Sequence, residues 1–320
     1  MQYVLNSSDF IQALETSDLT RLRNIPKTDF HNHASLGFPL EVLRQRTHAP
    51  IPDPPMIMPT WLEFSEYLRT HLQRLLYSRE GFIASISDAL ETARADGITE
   101  LEFSIDCQVI PEFGSMEAFV ESLREVIAKY PEIVVRPEIG INREWDEQRL
   151  EEWVLPLLDY DDFTAIDLYG NELLGEPEQF VRYYDYARNR GMILKAHAGE
   201  YRDADFVRRS VEVLQLHEVQ HGIAAANSGE VMRWLADHQI RLNVCPTSNL
   251  RLARVQKMSL HPIRELFGAG IHVTVNSDDI LVFDNTVSDE YLNLYKAGVL
   301  SAADLDQIRL RAFRSSDQHP

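Results

Sequence analysis

The sequence predicts an α/β chain closed into a (β/α)8 TIM barrel. Three observations carry that expectation. Eight short runs rich in β-forming residues alternate with longer stretches of helical period. Each run reads as a strand followed by a helix, the pattern of a parallel sheet covered on both faces. The chain has 320 residues, enough for the roughly 250 that such a barrel needs. Parallel strands each followed by a helix also fit an open sheet, but eight of them suit a closed barrel better.

In chain order, strands are expected at 27–33, 98–106, 133–141, 163–168, 192–197, 218–222, 240–245 and 272–277. Helices are expected at 80–95, 116–129, 177–190, 203–214 and 229–238. Ser115 and Ser228 stand where N-caps belong, their hydroxyls able to accept from the first turn. Gly97 and Gly191 follow helices at the position where a left-handed residue ends the last turn. The segment 47–59 holds five prolines and reads as a loop. Segments 61–77 and 80–95 add two helices between the first and second strands. An excursion of that length covers the carboxyl-terminal face of the barrel. Trp61, Phe64 and Leu68 share one helical face and read as core before substrate contact. Two closing helices follow at 287–297 and 302–314. No repeat, low-complexity tract or linker interrupts the pattern, so 1–320 reads as a single domain.

Composition excludes several classes. Lys and Arg number 31 against 50 Asp and Glu, a net charge of −19. That balance argues against a nucleic-acid partner, which needs clustered cations. No apolar run approaches the ~18 residues of a membrane span. The opening stretch, MQYVLNSSDFIQALETSDLTRL, carries acids where a secretion signal has basic residues, and no apolar core follows. The two cysteines, Cys107 and Cys245, lie far apart and make no disulfide framework. The expectation is a cytoplasmic protein with a small-molecule partner; nothing in the pattern fixes an oligomeric state.

The residues with chemical potential lie at strand ends. His31-Asn32-His33 ends the first strand, and residues i and i+2 of a strand point the same way, so both imidazoles can face one metal. Two ordinary strand-end histidines are the alternative. His197-Ala198-Gly199-Glu200 ends the fifth strand and can set a ligand beside a proton donor, or simply lead into a turn. His221-Gly222 ends the sixth. Asn276-Ser277-Asp278-Asp279 ends the eighth, where paired acids can split tasks or cap the next helical turn. Together these groups occupy the face on which barrel enzymes keep their catalytic residues. Three histidines and an aspartate around one Zn²⁺ leave a position for water, whose pKa the metal lowers to about 7. His221 and Glu200 remain for acid–base work. Iron, cobalt and manganese also accept such a nitrogen–oxygen set.

A competing motif is His217-Glu218-Val219-Gln220-His221, the H-E-x-x-H signature of zinc peptidases. It needs the helix from 203 to run on through His221. It leaves His31, His33, His197 and Asp278 without a purpose, and Ala224 stands where the extended signature has glycine.

In this order the motifs resemble the adenosine deaminase family of the amidohydrolase superfamily. The resemblance runs from Pro26-Lys27-Thr28-Asp29-Phe30-His31-Asn32-His33 to the segment 305–315. Its most specific parts are His197-Ala198-Gly199-Glu200, Val244-Cys245-Pro246-Thr247-Ser248-Asn249, and Ser277-Asp278-Asp279 followed by Ser288-Asp289-Glu290-Tyr291. Asp167-Leu168-Tyr169-Gly170-Asn171-Glu172 is similar to the family's strand-four segment. The resemblance implies a barrel with one catalytic zinc, bound by His31, His33, His197 and Asp278. It implies that Glu200 protonates purine N1, that His221 orients and deprotonates the attacking water, that Asp279 meets N7, and that the Gly170 N–H meets N3. Ser35 replaces the acid that in the family holds the ribose 5′-hydroxyl. Ser104, Asn171, Ile280 and Arg311 depart from the family's arginine, aspartate, proline and asparagine. None of these touches the metal or the proton relay. The expected activity is therefore hydrolytic removal of the 6-amino group from adenosine or a related 6-aminopurine, with another aminopurine or amino-heterocycle as the alternative.

Overall fold

The computed structural model describes residues 6–316; the ends of the 1–320 span, including the first five residues of the opening stretch, lie outside it. Eight strands form one sheet in sequence order: β1 (Lys27–Asp29), β2 (Ile98–Asp106), β3 (Val134–Asn142), β4 (Ala165–Tyr169), β5 (Ile193–Ala198), β6 (Glu218–His221), β7 (Arg241–Val244) and β8 (His272–Val275). Each neighbouring pair is parallel. The curve closes at β8 and β1 without a ladder. One bridge, Asn32 to Asp278, joins them. The Asp278 N–H donates to the His31 carbonyl at 2.9 Å, and the Phe30 N–H donates to Asn276 Oδ1 at 2.8 Å. The Asp29 carboxylate accepts from the Ser277 N–H at 3.2 Å and from its hydroxyl. The expected (β/α)8 barrel is present, its last seam stitched by side chains.

Local signals behave as the sequence implies. Ser115 accepts from the Ala118 N–H at 3.1 Å and Ser228 from the Val231 N–H at 3.3 Å. Gly97 has φ +72, and a Cβ there would lie 2.3 Å from the Arg23 carbonyl oxygen, so only glycine fits that turn. The differences have local causes. β1 stops at Asp29, short of the expected 33, because the Phe30 N–H is taken by the Asn276 side chain. The helix expected over 177–190 opens with a 3-10 turn at Pro177–Phe180 and becomes α-helical at Val181–Asn189. The cover helix is Trp61–Tyr67 and Gln73–Leu76 with a π-helical turn, Leu68–Leu72, between them. Ser7–Glu15, Leu19–Arg23, Leu40–Thr47, Pro246–Arg251 and Ile263–Gly268 are helices that the sequence reading leaves out; most are too short for a periodic signal. Among the described residues no helix is long and apolar enough to cross a membrane.

The cover has its own apolar core, in which Phe38, Leu43, Met58, Phe64, Leu281 and Phe283 are buried together. It ties the 47–59 loop and the cover helix to Ile280–Phe283, the helix directly after the paired acids. Inside the barrel the floor is ionic. Buried Lys195 pairs with Glu102, Glu138 and Glu218, and Arg241 pairs with Glu102 and Glu218. Arg136 reaches Glu102 as well, at 4.0 Å, and burial pushes the Glu138 carboxyl up. Lys195 lies two residues before His197 on β5, so this layer directly underlies the histidines.

A second buried acid gives a pH prediction. Glu290 accepts from the Thr247 N–H with both oxygens at 3.1 Å, and from the Thr247 hydroxyl at 3.0 Å. Burial pushes its carboxyl from the ordinary 4.5 up to about 8. A group held above its unfolded value contributes stability that is complete below about 4.5 and lost as pH rises through about 8. Urea unfolding should therefore show Glu290→Gln falling furthest below the unsubstituted protein at pH 5, with the gap narrowing by pH 8.5. A gap independent of pH would remove this proton from the account.

Candidate active site

At the carboxyl ends of the strands the expected residues converge. His31 and His33 flank the bridging Asn32. His197 is the penultimate residue of β5 and His221 the last of β6. Asp278 follows β8 with φ +65, a left-handed turn that turns the chain back toward strand one. Asp278 Oδ1 lies 3.5 Å from His33 Nε2 and 3.9 Å from His31 Nε2. His221 Nε2 lies 3.8 Å from Asp278 Oδ2 and 3.6 Å from Glu200 Oε1. Ligand-capable atoms of His31, His33 and Asp278 fall within 4.8 Å of one another, as do those of His31, His197 and His221, and those of His221, Cys245 and Asp278.

Hydrogen-bond partners decide which of these suit a metal. His31 Nδ1 is 3.2 Å from the Asn243 carbonyl oxygen, which can only accept. The ring proton therefore sits on Nδ1, and Nε2 keeps a bare lone pair, buried and without a partner. His197 Nδ1 is 3.2 Å from Asp167 Oδ1, with the same result. Imidazoles oriented this way by a carbonyl or carboxylate are the usual form of metal-binding histidines. Burial holds the His31 and His33 rings below their ordinary pKa, hence neutral, as ligands must be. The Cys245 thiol is instead pushed far up by burial and stays protonated, which suits packing. A site of bare imidazole nitrogens and one carboxylate fits a divalent cation.

Glu200 enters from the loop after β5. Its Oε1 is buried with no partner, and burial, then the charge of Asp278, push its carboxyl well above the usual range. Asp279 is raised by the same two causes. The Glu200 loop is clamped from behind. The buried Glu172 carboxylate accepts from four successive backbone N–H groups, those of Gly199, Glu200 (3.0 Å), Tyr201 and Arg202 (3.3 Å). Arg143 donates to the His197 carbonyl at 2.7 Å and to that of Gly175 at 2.9 Å. Gly199 has φ +75, and a Cβ there would strike Val207 Cγ2 at 2.3 Å. Sequence reasoning misses the positioning parts played by Asp167, Glu172 and Arg143. Asp167 and Glu172 do stand in the strand-four segment noted above, Asp167 as a lone acid in the strand AIDLY, whereas Arg143 carries no signal.

His33, Ser35, Gly170, His197, Glu200, His221, Asp278 and Asp279 line one cavity of about 620 Å3, and His31 lies beneath it. Trp61, Phe64 and Leu68 line the same cavity. The expectation that they are core holds and is added to: Phe64 is buried in the cover core, with Trp61 and Leu68 packed against it, and all three line the pocket as well. The peptidase motif is overturned. Glu218–His221 is a strand, Glu218 points into the ionic floor, and His217 Nδ1 accepts from the Leu194 N–H at 2.9 Å at the opposite end of the strand from His221.

A parallel (β/α)8 barrel with clustered imidazoles, a carboxylate and a buried acid at the carboxyl ends of its strands is a framework suited to metal-assisted hydrolysis. The adenosine deaminase family model matches residues 57–318. A Treponema pallidum (strain Nichols) protein provisionally named an adenosine/adenine deaminase is 32% identical over 281 residues, 87% of this chain and 94% of that one. The crystal structure of an adenine deaminase from Arthrobacter aurescens superposes with a TM-score of 0.78 at 26% identity, over 89% of this chain and 93% of that one. An amidohydrolase from Burkholderia ambifaria, solved with bound zinc, shares the fold (TM-score 0.73, 22% identity, 97% of this chain and 87% of that one). The chain belongs to the adenosine deaminase family and is a hydrolytic deaminase.

Proposed function

We propose that this deaminase acts on a 6-aminopurine, adding water at C6 and releasing ammonia and the 6-oxo purine. The observation that carries the reading is Glu200, whose Oε1 is buried without a partner 3.6 Å from His221 Nε2, in one cavity with His33 and His197, and whose pKa burial pushes up. Aromatic C6 resists attack until N1 gains a proton, so an acid and a water must meet the ring on adjacent edges. Glu200 supplies that proton. His221 orients the water, Asp279 faces N7, the Gly170 N–H meets N3, and Ser35 offers a hydroxyl toward the N9 side. His31, His33, His197 and Asp278 would hold one zinc ion, supported by the bare Nε2 atoms of His31 and His197. Zinc bound there lowers the pKa of a water to about 7 and so makes it nucleophilic near neutrality.

The uncharged Ser35 at the sugar end, and the adenine deaminase named above, favour free adenine. The cavity of about 620 Å3 favours a second reading, a nucleoside, because it exceeds what a bare purine fills. A cytoplasmic location is supported by two free, buried cysteines. Ammonia release by the zinc-loaded protein from adenine, adenosine, adenosine monophosphate and an aminopterin tests the reading. Turnover of adenine above the others is expected, adenosine above adenine supports the second reading, and no release from any purine overturns both.

A further inference from the structure

His221 is backed by a chain of hydrogen bonds whose direction is set at its far end. The Ile263 N–H donates to His261 Nδ1 at 3.2 Å. A backbone amide only donates, so that nitrogen carries no proton. His261 is 2% exposed, and burial holds its pKa down at about 3, so the ring is neutral and its one proton sits on Nε2. His261 Nε2 is 3.2 Å from Asn249 Oδ1, which accepts it. The Asn249 amide is thereby turned so that Nδ2 faces His221 Nδ1 at 3.2 Å and donates to it. His221 Nδ1 is then an acceptor, and the ring's proton lies on Nε2, the atom facing Glu200 and Asp278. An imidazolium is disfavoured as well, since its Nδ1–H would point at an NH2 group.

We propose that His261 and Asn249 are positioning residues that fix the proton of His221 on Nε2, so that His221 meets the pocket as a hydrogen-bond donor. The proposal rests on the placement of His221 beside the attacking water given above. It divides the three imidazoles whose nitrogens cluster within 4.8 Å. His31 and His197 donate backward and present lone pairs; His221 accepts backward and presents an N–H. His221 therefore holds a lone pair of the water oxygen, and its resting form has no free Nε2 lone pair with which to take the water's proton.

Asn249→Asp is the isosteric test, because a carboxylate accepts from both imidazoles and pulls the His221 proton onto Nδ1. The zinc-loaded full chain, labelled with 15N in its imidazoles, should show His221 protonated at Nε2 in the unsubstituted protein and at Nδ1 in Asn249→Asp. Steady-state ammonia release should show kcat lowered about 10–100-fold, the range for groups that orient active-site residues, with KM little changed. The same substitution in a His221→Ala background should cost nothing further. His261→Gln, which keeps an N–H donor toward Asn249, should retain most activity, and His261→Phe should not; this pair and the unsubstituted spectrum decide the matter even if Asn249→Asp does not fold. A His221 proton found on Nδ1 in the unsubstituted protein overturns the relay. So does an undiminished kcat in Asn249→Asp, or an equal loss in both backgrounds. Undiminished ammonia release by His221→Ala is a different failure: it overturns the site reading itself, before Asn249 is touched.

Discussion

Glu200→Gln lowers kcat by about 10²–10⁴, the usual worth of a positioned acid, and leaves the bound metal in place. The substitution preserves shape, and the clamp is built from backbone amides of 199–202 on Glu172, so the loop keeps its course. What is lost is an ionisable carboxyl 3.6 Å from His221, one whose Oε1 is buried without a partner and whose pKa burial pushes up. Glutamine can still donate a hydrogen bond to a ring nitrogen, so binding should change less than turnover. Ammonia-release kinetics together with elemental analysis check both halves. A variant within tenfold of normal kcat would take Glu200 out of the chemistry, and one that loses metal would make it a ligand.

Asp278→Ala is expected to empty the proposed metal site and to reduce turnover below detection. Its carboxylate is the anion shared by His31, His33 and His221 across 3.5–3.9 Å. Without it the site has neutral nitrogens alone and no charge to offset a divalent cation. Because the residue sits at φ +65, alanine also adds the strain of a left-handed turn, on the order of 1 kcal/mol. Asp278→Asn serves as the control, since asparagine tolerates that conformation while removing the charge. Elemental analysis after dialysis should find both variants depleted. Full metal occupancy in Asp278→Asn would show that the carboxylate is not a ligand.

Much of this architecture is readable in one dimension because it repeats or stands at a boundary. The strands show as runs rich in β-forming residues, and Ser115, Ser228 and Gly97 punctuate them with cap and turn chemistry. His31, His33, His197, Glu200, His221, Asp278 and Asp279 are legible because a barrel puts every strand end on one rim. What escapes is whatever acts across the chain. Glu172 reaches an amide 30 residues away, and Arg143 reaches a carbonyl 54 residues away, with no period to announce either. His261 looks unremarkable in sequence until a fold brings it to Asn249 and His221. The H-E-x-x-H run misleads for the converse reason: the spacing is real, but in β6 it sends His217 and His221 to opposite ends of the barrel.

The join between β8 and β1 has a thermodynamic meaning of its own. With one bridge in place of a ladder, the cylinder resembles a belt more than a hoop, and His31, His33 and Asp278 sit on its two free ends. An ion gripped by both ends would act as the buckle. Its affinity would then be measured against unfastening of the belt, so that occupancy and resistance to unfolding rise and fall as a single quantity.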